Sequence, residues 1–134
     1  MINVDKKIKK ALLIIVVLVL LVLLLAPIGE PQVPSFLLFK HSDKVAHLGL
    51  FFMTGLASVI GTEWLKSLKM RILFGAVFSL FLAVSTEFGQ SLIPTRNMSS
   101  YDLFADLIGI ALAISLYIIC YRRFDVPANN CASK

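Results

Sequence analysis

Four long apolar runs alternate with short polar segments along the chain, at about residues 11–28, 45–65, 72–93 and 103–121. Each run is close to the roughly 20 residues that an α-helix needs to cross the hydrocarbon core of a bilayer. The segments between the runs carry Pro, Ser and basic residues, which favour breaks between helices. The pattern predicts an all-α integral membrane four-helix bundle, with residues 1–134 forming a single domain.

The composition supports a membrane protein over a soluble domain. Of the 134 residues, 58% are hydrophobic and 16% are charged, and the mean hydropathy is +0.87. The net charge of +5 does not indicate a nucleic-acid partner, because the basic residues flank the apolar runs instead of alternating with aromatic residues on one polar face. The lipid bilayer is therefore the predicted partner. Cys120 and Cys131 lack the spacing of a zinc site and are expected to be free thiols.

The basic residues also predict the orientation in the membrane. If the N-terminus is cytoplasmic, ten Lys and Arg residues lie on the cytoplasmic side, and three lie outside, at Lys40, Lys44 and Arg96. We therefore expect both termini in the cytoplasm. The first run follows four lysines and exceeds the roughly 7–15 residues of a signal-peptide core, so we expect a retained anchor helix.

Polar residues recur at the predicted outer ends of the second, third and fourth spans. In each span, two such residues are three or four positions apart, so they project from one side of a helix. The pairs are Asp43 and His47, Glu87 and Gln90, and Asp102 and Asp106. Small residues continue these faces inward, at Thr54, Gly61, Ala76, Ala83, Gly109 and Ala113. Because small residues let membrane helices approach closely, the polar residues are predicted to face the bundle interior.

Charged groups inside a bilayer are costly, at about 2.5–3.5 kcal/mol each near its centre and less near the interface. Pairing Lys44 and Arg96 with the four carboxylates of this region leaves two formal negative charges when His47 is neutral. A protonated His47, a protonated carboxyl group, a bound cation or a cationic part of a ligand could balance these charges.

A structural interpretation stays open for several of these residues. Asp43 and Asp102 suit helix N-termini, where a carboxylate can cap the backbone and complement the helix dipole. Lys44 and Arg96 suit contacts with lipid headgroups, and a neutral His47 could be a hydrogen-bonded packing residue. Glu87 is harder to explain in this way, because it lies at least one turn inside an apolar run and caps nothing.

The same residues carry a resemblance to the VanZ-like family of small bacterial membrane proteins. The matching segments, in the family's order, are DKVAHLGLFF at residues 43–52, TEFGQSLIPTR at 86–96 and SSYDLFADLIG at 99–109. The family's signature positions correspond here to Asp43, Lys44, His47, Glu87, Gln90, Arg96, Asp102, Asp106 and Gly109. Asp106 departs from the family pattern, in which Asn is usual.

The resemblance implies a multi-pass protein of the bacterial inner membrane. The family's namesake is associated with reduced susceptibility to the glycopeptide teicoplanin, and the biochemical activity of such proteins is not settled. The resemblance therefore points to the cell envelope without naming a reaction.

The first hypothesis for function is an outward-facing site that binds or processes a lipid-linked or headgroup-bearing envelope ligand. Glu87 and His47 would be the acid/base pair of an enzyme, and Lys44 with Arg96 would hold phosphate or carboxylate groups. A divalent cation could bind at the acidic residues, and no other cofactor is expected. The predicted ligand-binding set is Asp43, Lys44, Gln90, Arg96, Asp102 and Asp106.

The second hypothesis is a non-catalytic role, in which the polar residues clasp the helices together or dock a partner protein. Transport is a third and weaker hypothesis, because four short helices could form a pathway only as an oligomer. The sequence leaves the ligand, the presence of a metal, enzymatic turnover and the oligomeric state open.

Overall fold

The computed structural model describes residues 6–25, 42–62, 64–93 and 99–124, and these ranges are almost entirely helical. The helices are α1 (Lys6–Leu25), α2 (Ser42–Gly61), α3 (Leu68–Ser91) and α4 (Ser100–Phe124). No strand occurs in the described ranges. Each helix is long and apolar enough to cross a membrane. The prediction of an all-α fold is thereby confirmed for the described residues, and its four helices are candidate membrane spans by length and composition. The orientation of the termini stays a prediction.

The helices extend beyond the predicted apolar runs at their N-terminal ends. They begin at residues 6, 42, 68 and 100, three to five residues before the runs at 11, 45, 72 and 103. Hydropathy marks only the apolar part of each helix, whereas polar first turns also adopt helical geometry. The first turns of α2 and α4 hold Asp43 and Asp102, where a carboxylate complements the helix dipole.

Close contacts between helices define their directions. Gly61, at the end of α2, lies against Leu13 near the start of α1, so these helices are antiparallel. Ser58 of α2 lies 3.4 Å from Ser79 of α3 between their hydroxyl oxygens. Gly109 of α4 lies against the backbone of Leu48 in α2. The helices therefore alternate in direction, and α2 and α4 run in parallel.

One end of the bundle consequently collects the C-terminal ends of α1 and α3 and the N-terminal ends of α2 and α4. We call it the site end. A side chain at Gly109 would collide with the Leu48 carbonyl oxygen and would place a Cβ atom 2.9 Å from the Phe52 amide nitrogen. The absence of a side chain at Gly109 is what lets α2 and α4 approach closely here.

The buried interior is small and partly polar. Its apolar core consists of Leu20, Leu24, Phe51, Leu82, Ala83 and Ile110. Buried hydroxyl groups of Thr54, Ser58, Thr62 and Thr86 donate to carbonyl oxygens one turn earlier in their own helices, which satisfies them without a partner helix. Of the small residues predicted to line the interface, Ala76 is half-buried and the others are buried.

Most large apolar side chains point outward, as expected for helices surrounded by lipid. The first helix shows this most clearly, because it buries only Leu20 and Leu24. Cys120 is exposed and is a free cysteine among the described residues. Cys131 lies outside the described residues.

Candidate functional site

The parallel packing of α2 and α4 brings their ionisable side chains together at the site end, in two layers. In the first layer, Lys44 Nζ lies 3.0 Å from Asp102 Oδ1. About one helical turn further along both helices, His47 Nδ1 lies 3.0 Å from Asp106 Oδ1. Lys44 and His47 are three residues apart in α2, and Asp102 and Asp106 are four apart in α4. Both contacts between the helices can therefore form at a single register of α2 against α4.

The first layer, which we call the outer pair, is Lys44 with Asp102. The Lys44 side chain is 37% exposed, while that of Asp102 is 8% exposed. The Lys44 ammonium also lies 5.8 Å from the centre of the Tyr101 ring, which is within the range of a cation–π contact. Both charged groups of the outer pair thus have a partner, and Lys44 keeps access to the surroundings.

The second layer, which we call the inner cluster, is His47, Glu87 and Asp106. Glu87 comes from α3, so three helices contribute one residue each. All three residues are buried, with at most 1% of their surface exposed. One potential ligand atom from each residue lies within 4.8 Å of those of the other two. The Ser99 backbone N–H, just before α4, donates to Glu87 Oε2 at 3.1 Å and ties the start of that helix to α3.

Two oxygens of the inner cluster are left without a hydrogen bond. Neither Glu87 Oε1 nor Asp106 Oδ2 has a partner among the described residues, although both atoms are buried. A buried polar group left unsatisfied costs about 1–3 kcal/mol, and more when it is charged. Since Lys44 is engaged by Asp102, His47 is the one basic side chain that faces the two carboxylates of the inner cluster in the described part of the chain.

The arrangement of the inner cluster supports two kinds of chemistry. An imidazole held against a carboxylate can accept and release protons, and Glu87 is close enough to share in that exchange. A nitrogen donor beside two carboxylates can also hold a divalent metal ion. For either chemistry, a ligand would reach the inner cluster past the outer pair, where the Lys44 side chain is half-exposed.

The other predicted site residues lie in different places. Asp43 is exposed at the start of α2, with a carboxylate oxygen within 4.8 Å of potential ligand atoms of His47 and Asp102. Gln90 is buried, but its side-chain nitrogen donates to the Leu24 carbonyl oxygen at 3.1 Å. That bond engages a carbonyl in the last turn of α1, so Gln90 joins α1 to α3. Arg96 lies outside the described residues.

The sequence did not reveal two contributors to the site. Ser99 acts through its backbone N–H, which every residue except proline carries, so no residue type marks it. Tyr101 is 74% exposed and meets Lys44 only because α2 and α4 are in register. Tyr101 directly precedes Asp102 in the sequence, and this was the one signal that could have placed it near the site.

Comparison with known proteins adds one relative. Over 84 residues the chain is 31% identical to an uncharacterized protein of the fission yeast Schizosaccharomyces pombe, covering 61% of this chain and 50% of that protein. The chain therefore spans about half the length of the curated relative that it matches. No family model matches the chain. No solved structure matches it significantly.

Proposed function

We propose that this chain is a VanZ-like protein of the bacterial inner membrane, with both termini cytoplasmic, whose site end binds an envelope ligand. The ligand would be a lipid-linked molecule or a lipid headgroup that carries phosphate or carboxylate. Support comes from the three segments that carry the resemblance, because they supply the residues of the two layers. Residues 43–52 contribute Lys44 and His47, residues 86–96 contribute Glu87, and residues 99–109 contribute Asp102 and Asp106.

The bacterial location rests on the resemblance and on the distribution of basic residues. The relative in Schizosaccharomyces pombe indicates that similar sequences also occur in a eukaryote. Its description assigns no activity, so the proposal takes no function from it.

The observation that carries the proposal is the pair of unsatisfied carboxylate oxygens in the inner cluster. A cluster that only held helices together would be expected to satisfy every buried oxygen, because each unsatisfied one lowers stability. Glu87 Oε1 and Asp106 Oδ2 are buried and without partners among the described residues. Buried ionisable groups of this kind in membrane helices commonly mark a functional site.

In the proposed site, Lys44 attracts the anionic part of the ligand at the edge of the bundle. Its ammonium is already oriented by Asp102 and Tyr101, so little side-chain freedom is lost when an anion arrives. If the protein is an enzyme, Glu87 and His47 exchange protons with the ligand, and Asp106 holds the imidazole through Nδ1. A link to glycopeptide susceptibility would follow from the envelope ligand.

A structural clasp is the second candidate function. Both layers join α2 to α4, and the Ser99 N–H joins the start of α4 to Glu87. Hydrogen bonds between membrane helices contribute about 0.6–2 kcal/mol each, so several could fix the packing or present a surface to a partner protein. Under this alternative, loss of any of these bonds lowers stability.

Native mass spectrometry of the purified protein can separate the two functions. We expect wild type to retain a lipid or lipid-linked molecule, and Glu87→Gln to lose it at unchanged abundance. Gln keeps an oxygen for the Ser99 N–H and removes only the charge. Ser91→Ala is the matched control, since Ser91 is exposed on the same end of α3 and bonds only its own helix among the contacts described. Equal loss of ligand and abundance in Glu87→Gln would favour the clasp.

A further inference from the structure

We propose that the inner cluster is a metal site, in which His47, Glu87 and Asp106 together bind a divalent transition-metal ion such as Zn²⁺. This inference rests on the proposed function in treating the cluster as a ligand site, and it names an inorganic ligand there. The three residues come from α2, α3 and α4, so an ion would join the three helices at one point.

The spacing of the donor atoms fits such an ion. Zn²⁺ binds His nitrogen and carboxylate oxygen at about 2.0–2.2 Å, which places neighbouring tetrahedral ligands roughly 3.4 Å apart. His47 Nδ1 and Asp106 Oδ1 lie 3.0 Å apart as a hydrogen-bonded pair, and an ion bound by Nδ1 would take the place of the proton that they share. The potential ligand atoms of all three residues lie within 4.8 Å of one another. Side-chain rotations that move these atoms by about 1 Å would bring each to bonding distance from a central ion.

The free oxygens provide a second and independent indication. Glu87 uses Oε2 to accept the Ser99 N–H and leaves Oε1 without a partner among the described residues. Asp106 faces His47 through Oδ1 and leaves Oδ2 without one. A carboxylate fixed through one oxygen and free at the other is the usual condition of a metal ligand oriented by its surroundings.

Charge favours this cluster over the neighbouring group of Asp43, His47 and Asp102. In that group Asp102 is already paired with Lys44, and Asp43 is exposed. A metal ion binds imidazole in its neutral form, so the two carboxylates of the inner cluster would be neutralised by a divalent ion. The imidazole ligand and the small number of donors favour zinc-like ions over Mg²⁺ or Ca²⁺, which prefer six or more oxygens. Three protein ligands also leave a position open for water or a ligand group.

Metal binding to the detergent-purified full chain tests the proposal. The protein is stripped with a chelator, dialysed against Zn²⁺ with excess Mg²⁺, and its metal content is measured by mass spectrometry. We expect a single Zn²⁺ per chain in wild type. Glu87→Gln and Asp106→Asn should weaken binding by more than the roughly 10–100-fold that loss of an outer-shell partner costs, because each removes a ligand.

Ser91→Ala is the matched control, because Ser91 is exposed on the same end of α3 and bonds only its own helix among the contacts described. It should bind Zn²⁺ as wild type does. A wild type that binds no zinc, or zinc that survives both ligand substitutions, would overturn the proposal. So would equal loss in all three variants.

A measurement on wild type alone keeps the test independent of variant folding. Co²⁺ substituted for zinc should give the visible absorption and X-ray absorption of an ion bound by nitrogen and oxygen without sulfur. A spectrum identical to Co²⁺ in detergent buffer would contradict the site. Lipid content measured in the same samples separates the two proposals. Bound lipid without zinc would support the envelope ligand and refute the metal site. Bound zinc without lipid would support the metal site and refute the envelope ligand.

Discussion

The outer pair and the inner cluster lie about one turn apart between α2 and α4, and Glu87 of α3 completes the inner cluster. The polar atoms of the two layers differ in how they are paired. Lys44 and Asp102 satisfy each other at the edge of the bundle, where Lys44 stays half-exposed. The inner cluster is fully buried and leaves one oxygen of Glu87 and one of Asp106 unpaired among the described residues. An exposed ion pair contributes little stability, whereas an unpaired buried charge lowers it. This difference is the basis for our proposal that the outer pair attracts a ligand and that the inner cluster binds it.

The largest effect should come from a substitution that separates both layers at once. Gly109→Ala places a Cβ against the Leu48 carbonyl and near the Phe52 amide, and backbone atoms cannot move aside as a flexible side chain can. Overpacking typically costs about 1–3 kcal/mol, and we expect a loss at the upper end of that range. Thermal unfolding in detergent measures it.

Gly49→Ala is the control for this change, because a Cβ there meets no atom within 4 Å. It should leave stability unchanged or slightly raised, since Ala favours helix more than Gly does. Equal melting temperatures for the two glycine variants would show that the close approach of α2 and α4 does not set the register of the two layers.

An intermediate effect should come from Gln90→Leu, which alters a buried polar contact outside both layers. The substitution removes the hydrogen bond to the Leu24 carbonyl and should cost about 1 kcal/mol. It should leave ligand and zinc binding intact, because the bond joins α1 to α3. Loss of ligand binding without loss of stability would support the sequence-based prediction that Gln90 binds the ligand.

The smallest effect on stability should come from removal of the outer pair alone. The double substitution Lys44→Met with Asp102→Asn removes both charges, so no buried charge is left unpaired, and the melting temperature should fall by less than in Gln90→Leu. Retention of an anionic ligand should fall clearly, since Lys44 is the proposed contact. The exchange Lys44→Asp with Asp102→Lys should restore stability without restoring ligand binding. Restoration of both would indicate that the pair only holds the helices.

Much of the fold could be predicted from the sequence, because apolar length and polar spacing act locally. The four helices and the convergence of His47, Glu87 and Asp106 on one end follow from spacing within each helix and from alternating helix directions. The specific pairs could not be predicted. Whether Lys44 meets Asp102 or another carboxylate depends on the register of α2 and α4, which is set at Gly109 by a contact distant in sequence.

Gln90 shows a second limit of sequence patterns. Residues three apart differ by about 60° around a helix, close enough to share a face but far enough to meet different neighbours. Glu87 accordingly lies beside His47 and Asp106, whereas Gln90 reaches α1. Spacing predicted a common face and could not assign each residue's partner.

The stability of metal-free, ligand-free Glu87→Gln beside Asp102→Asn tests the functional role of the inner cluster most directly. If the cluster is kept for a ligand, Gln preserves the bond to the Ser99 N–H and removes an unsatisfied charge. Glu87→Gln should then unfold at or above the wild-type temperature, while Asp102→Asn unfolds slightly below it because Lys44 loses its partner. A clear loss of stability in Glu87→Gln, as large as or larger than that in Asp102→Asn, would contradict a ligand site and identify the cluster as a clasp.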